Sequence, residues 1–119
     1  MNSPVKMVVD TPGKLFYEEQ VKYLLDKDVD SLVEKHYHDN AVIVSFDHIV
    51  RGKDNIRDYF TQFFNSVTIE QVVSTDKFTE TEDTLMFEAT VESNGGMIKT
   101  FDALVLDSGR IRLQFTGVR

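Results

Sequence analysis

The second half of this chain most limits what it can fold into. From about residue 67 onward no helical period survives. Three long runs at 67–79, 84–92 and 97–106, and a last one at 111–118, are separated only by short turns. Asn94-Gly95-Gly96 and Asp107-Ser108-Gly109 are strong hairpin signals, because glycine tolerates positive φ. Glu80-Thr81-Glu82-Asp83 supplies the remaining turn. Strands joined this tightly run antiparallel, since a parallel pair needs a crossover of a dozen or more residues. Four consecutive strands with no helix between them rule against a βαβ sheet and point to an α+β fold.

The first half carries the helices. Phe16, Tyr17, Gln20, Val21, Leu24 and Leu25 recur at helical spacing from Leu15 onward. Asp26-Lys27-Asp28 interrupts that helix, and Asp28 is a good N-cap for a second one reaching about His36. Val29, Leu32 and Val33 give it an inward face. Asp39-Asn40 reads as a turn, the run 41–46 as a strand, and 49–51 as a short partner strand. Gly52 closes that pair, and a third helix follows through Ile56, Tyr59, Phe60, Phe63 and Phe64. Residues 1–13, with Pro4, Pro12 and Gly13, read as an irregular lead-in from which Val8 and Val9 dock on the body. Residues 14–119 read as a single domain.

Composition narrows the function classes. Nine Phe and four Tyr in 119 residues give a core that needs no covalent staple. With no cysteine there is no disulfide, thiolate nucleophile or Cys-based zinc site. The net charge of −7, with scattered Lys and Arg, argues against nucleic acid and anionic membranes as partners. The first residues lack the basic-then-apolar pattern of a signal peptide, and no window has the ~18 apolar residues of a membrane span. A cytoplasmic location is the expectation.

Few motifs carry chemistry. Asp26-x-Asp28-x-Asp30 begins like a calcium loop, but Ser31 stands where the loop needs glycine and Tyr37 where it needs a bidentate glutamate. His36-x-His38 lacks the i, i+4 spacing that brings two helical imidazoles to one ion, so a surface or turn role is favoured for this pair. No phosphate loop, dinucleotide fingerprint or nucleophile elbow is present, and no cofactor is expected. Asp102 is the most informative polar residue. It stands mid-strand in Phe101-Asp102-Ala103-Leu104-Val105-Leu106. A carboxylate facing inward there is desolvated and holds its proton to higher pH, as an acid/base group requires. The opposite register would turn the same residue outward to solvent. Both readings stand at this level.

Three segments carry a family resemblance: Asp28-Val29-Asp30-Ser31-Leu32-Val33, Tyr37-His38-Asp39-Asn40-Ala41-Val42, and the run from Arg51-Gly52-Lys53-Asp54 to Tyr59-Phe60. Together with Asp107-Ser108-Gly109-Arg110-Ile111 they resemble the nuclear transport factor 2-like superfamily, closest to its SnoaL-like and ketosteroid-isomerase-like group. The resemblance covers about residues 15–118. It implies a cone-shaped, curved antiparallel sheet wrapped around N-terminal helices, enclosing an apolar pocket. It also implies a homodimer through the convex sheet face. The superfamily holds isomerases, cyclases, dehydratases, epoxide hydrolases and non-catalytic binding domains, so it is less informative about activity.

By that resemblance Ser45 falls where the isomerases keep their proton-shuttling aspartate, and Gln20 where they keep a tyrosine donor. Asp102 falls on their protonated oxyanion-hole aspartate. Tyr59 and Phe63 align with pocket-wall positions, and Phe87, Ala89 and Val91 with pocket-facing positions on the sheet. Leu24 and Leu104 complete the expected wall. The epoxide-hydrolase carboxylate–arginine–carboxylate group has no counterpart, since Arg57 lies on a helix. Two functions follow as expectations. One is a domain that binds a small hydrophobic molecule passively. The other is an isomerase, cyclase or dehydratase-type enzyme using Asp102 as general acid/base on an apolar carbonyl compound.

Overall fold

Thr11 and Pro12 start the first helix. The Thr11 hydroxyl accepts from the Lys14 amide at 3.1 Å, and proline at the first helical position has no amide hydrogen to leave unpaired. The computed structural model describes residues 10–119, in which α1 spans Pro12–Asp26. The helix therefore begins two residues inside the expected lead-in. The expected docking of Val8 and Val9 lies outside the described residues. Glu80 anchors this helix start: its carboxylate accepts from the Thr11 hydroxyl and from the Gly13 amide at 3.1 Å. An anion at a helix N-terminus is favoured by the exposed amides there. A Cβ on Gly13 would sit 2.4 Å from Glu80 Oε2, which fixes glycine at that contact.

Lys27 ends α1 with φ 55°. Asp28 then caps α2 (Val29–His36), accepting from the Ser31 amide at 3.1 Å as the sequence predicts. That amide holds the Asp28 carboxyl below the usual range. The chain passes directly into β1 (Tyr37–Val44). The turn expected at Asp39-Asn40 is instead a register irregularity inside β1, between Tyr37 and Val42, where the His38 ring accepts from the Asn40 amide at 3.1 Å. After β2 (Ile49–Arg51), α3 spans Lys53–Ser66. The meander follows as β3 (Ile69–Glu80), β4 (Thr84–Ser93), β5 (Gly96–Asp107) and β6 (Arg110–Val118).

The six strands form one sheet in the order β2-β1-β6-β5-β4-β3. Four pairings are antiparallel, as the short turns require. The fifth, β1 beside β6, is parallel, so the sheet is mixed. The helical crossover through α3 and the whole meander separate these two strands in sequence. β3 shifts register against β4 at three points, and each bulge bends the strand. The curved sheet closes over the helices. Its concave face carries Leu85, Phe87, Ala89 and Val91 on β4, and their partners Leu104, Asp102, Thr100 and Ile98 on β5.

The core sits between that face and the helices. Leu32, Val33, Tyr37, Ile43, Ile56, Leu85, Leu104 and Ile111 are essentially inaccessible. Each such aliphatic side chain contributes about 1.5–3 kcal/mol by leaving water. Phe60 and Phe64 on α3 stack one turn apart and close the helical side. Among the described residues no helix is long and apolar enough to cross a membrane.

Candidate functional site

Asp102 faces inward. Its cross-strand neighbours are Phe87 on β4 and Thr116 on β6, both on the concave face. The residue as a whole is half-buried, while protein encloses its carboxyl. It stands where packing changes. Toward one end Leu85, Leu104, Ile111 and Gln114 are buried. Toward the other, Ala89 and Val91 on β4 are buried, while Thr100 and Thr116 are half-buried and Val118 is exposed. Burial pushes the Asp102 carboxyl up from the ordinary 3.8 to about 6, against hydrogen bonds from Thr116 and Gln114 that pull it back. No cation among the described residues contributes to this balance. Near neutral pH such a group both gives and takes a proton.

Three tyrosines surround it. Tyr17 on α1, Tyr37 on β1 and Tyr59 on α3 each feel the Asp102 charge, and burial raises the pKa of all three. The Tyr17 ring packs on Phe87 and Phe78 at 4.6 and 5.7 Å, and its hydroxyl meets Thr75 Oγ1 at 2.7 Å. Tyr17 also lines a groove of about 660 Å³ between α1 and β3, with Lys14, Val21, Leu25, Val72 and Phe78. A second, more polar depression of about 420 Å³ lies around Gly52 and Asp39. None of the residues picked from sequence lines either cavity.

Those residues lie on different elements and do not form one cluster. Tyr59 and Phe63 share one face of α3, half-buried, with ring centroids 6.4 Å apart. Phe87, Ala89, Val91 and Leu104 line the concave face around Asp102 but are themselves buried. Leu24 packs at the margin of the core. Gln20 is buried and donates from Nε2 to the Tyr37 hydroxyl at 3.3 Å. Ser45 stands apart: it lies just past β1, and its hydroxyl is engaged by the His48 amide and carbonyl at 3.2 and 3.1 Å. Arg57 pairs on the surface with Asp30 and Glu34, both at 2.5 Å.

Sequence reasoning missed three polar partners. Gln114 on β6 donates from Nε2 to Asp102 Oδ1 at 3.1 Å and accepts from the Tyr37 hydroxyl at 2.6 Å. His36, expected at the surface or in a turn, is buried. Phe16 stacks on its ring at 3.9 Å, Nδ1 lies 2.5 Å from Gln20 Oε1, and Nε2 lies 2.8 Å from Glu19. A signal existed for Gln114, a lone amide between Leu113 and Phe115 in a strand. None existed for Tyr37 and His36, whose partners come from other elements. Among the described residues, no group of three or more His, Cys, Asp or Glu is placed to hold a metal ion.

No family model and no curated protein matches the chain. Solved structures do match in shape. An NTF2-like protein of unknown function from Cytophaga hutchinsonii superposes with a TM-score of 0.73 at 12% identity, over 94% of this chain and 93% of that one. The chain has the nuclear transport factor 2-like fold. A putative polyketide cyclase from Sinorhizobium meliloti shares that fold with a TM-score of 0.71 at 16% identity, covering 86% of this chain and 93% of its own. An LEH-like epoxide hydrolase of M. tuberculosis reaches 0.72 at 16% identity, covering 87% and 80%. At such identities the likeness shows the nuclear transport factor 2-like architecture and leaves chemistry to the residues themselves.

Proposed function

We propose that this chain is a SnoaL-like domain that binds a small apolar molecule against the concave face of its sheet, with Asp102 as the polar contact. One observation carries the reading: a carboxyl with no cation partner among the described residues, half-buried on the concave face between Phe87 and Thr116. A carbonyl or hydroxyl on the ligand satisfies that carboxyl, while Tyr59, Phe63 and Phe87 supply the apolar wall. The groove between α1 and β3 provides the approach, with Tyr17 between it and Asp102. Its volume falls in the range of small-molecule sites.

A second reading has its own support. A carboxyl with a pKa near 6 is suited to moving a proton at neutral pH, as an isomerase, cyclase or dehydratase-type enzyme requires. The proposed unit is a homodimer through the convex face. There Met86, Ala103 and Phe115 lie side by side across β4, β5 and β6, with Met86 and Phe115 well exposed.

Native mass spectrometry of the chain against a mixture of small apolar ketones, lactones and alcohols tests the binding reading. The expected result is selective retention of one class, weakened about tenfold or more in Asp102→Asn by the lost charge-assisted hydrogen bond. Retention of none, or equal retention by the variant, sinks it. Ketone α-proton exchange followed by NMR separates the catalytic reading. Exchange that depends on Asp102 supports it, and exchange at the solvent rate removes it.

A further inference from the structure

Glu19, His36, Gln20, Tyr37, Gln114 and Asp102 form one unbroken line of hydrogen bonds from the surface of α1 to the concave face. We propose that this line is a two-state relay in which His36 and Asp102 titrate as a coupled pair, making His36 a positioning residue for Asp102. The proposal rests on Asp102 being the polar centre of the site.

Donor and acceptor identities carry the argument. With Asp102 ionised, Gln114 donates to it from Nε2 and accepts the Tyr37 proton at Oε1. The Tyr37 oxygen then accepts from Gln20 Nε2, which leaves Gln20 Oε1 as an acceptor facing His36 Nδ1. Nδ1 must carry a proton. On the other side of the ring Nε2 faces the Glu19 carboxylate, which only accepts, so Nε2 carries one too. An ionised Asp102 therefore demands a charged His36.

In the opposite state Asp102 is protonated and donates that proton into the line, and every arrow reverses. Asp102 donates to Gln114 Oε1, Gln114 Nε2 donates to the Tyr37 oxygen, and the Tyr37 proton turns to Gln20 Oε1. Gln20 Nε2 now donates to His36 Nδ1, which accepts only when the ring is neutral. Passing from the first state to the second removes one proton from His36 and adds one to Asp102, and the net charge of the line is unchanged. Neither amide loses a proton. Each turns by half a rotation, and the protons exchange with water at the two ends.

The surroundings suit such a pair. Facing His36 are Glu19 and Tyr23 on α1 and Lys35 on its own helix. Burial lowers its pKa from 6.5, against the Glu19 carboxylate, which raises it. Facing Asp102 are Tyr17, Tyr37 and Tyr59 from α1, β1 and α3, with Gln114 and Thr116 from β6. Burial thus lowers one end and raises the other, bringing the two groups closer together.

The test is an NMR titration of the full chain between pH 4.5 and 8.5, reading the His36 ring nitrogens and the Asp102 carboxyl carbon. In the wild type the pair should lose its protons in two steps, and each probe should register both of them. Asp102→Asn should lower the His36 midpoint by about one pH unit. In a Tyr37→Phe background, which cuts the line at its middle, the same substitution should leave His36 unmoved. An Asp102→Asn effect of equal size with and without the Tyr37 hydroxyl would mean charge acting through space, and would overturn the relay. So would two independent single inflections in the wild type, a result that needs no variant. All readouts are taken without ligand. A coupled His36 in a chain that binds nothing therefore fails the binding reading alone, and an uncoupled His36 in a chain that binds through Asp102 fails the relay alone.

Discussion

Replacing Asp102 by asparagine should change the pH dependence of stability in a calculable way. In the folded chain the carboxyl keeps its proton up to about pH 6, while in the unfolded chain it loses it near 3.8. Between those values the unfolded state binds fewer protons, so unfolding becomes easier as pH rises. Stability is full below about pH 4, falls through the interval, and stays at its lower value above about pH 7. Each pH unit in the interval is worth about 1.4 kcal/mol, so the loss totals about 3 kcal/mol. Asparagine cannot ionise and escapes it. Urea denaturation of both proteins at half-unit steps from pH 3.5 to 8 gives their stability difference, in which titrating groups not coupled to Asp102 cancel. That difference should move by about 3 kcal/mol in favour of the variant and flatten above pH 7. A flat difference, or one moving the other way, would refute the claim that burial governs this carboxyl.

Three further outcomes are expected. Leu104→Ala removes a fully buried side chain beside the site and should cost about 2–5 kcal/mol in chemical denaturation, leaving the m-value unchanged. Ser108 sits at φ 56° ahead of Gly109 in the β5–β6 turn, so Ser108→Asn should stabilise by about 0.5–1 kcal/mol and raise the melting temperature by a few degrees. Phe115→Glu places a charge in the convex patch. Sedimentation velocity should show a dimeric wild type and a monomeric variant, whereas a monomeric wild type removes the dimer.

The meander and the helices were legible in the sequence because their signals are local. Turn glycines, the Asp28 cap and the alternation along β4 each act within a few residues, and the structure follows them. The inward register of Asp102 could be read only once Phe87 and Thr116 stood beside it, since a one-residue slip reverses a strand's faces. Asp39-Asn40 misled for the opposite reason. Its local preference for a turn gives way to the pairing of Val42 and Ile43 with β2 and β6. Gln20 sits on the helical stripe that the sequence shows and is buried, but its partners His36 and Tyr37 belong to other elements. Hydrogen bonds across layers leave no periodic trace.

The parallel pairing of β1 with β6 also has a consequence for the order of events during synthesis. Tyr37 emerges from the ribosome 77 residues ahead of Gln114, its hydrogen-bond partner. Until β6 arrives, β1 has only the three-residue β2 beside it in the sheet, and the Tyr37 hydroxyl lacks its acceptor. Contacts so distant in sequence are slow to form and come after the local hairpins. The polar line to Asp102 therefore closes only once β6 has joined the sheet, and until then the first strand stays open on one side.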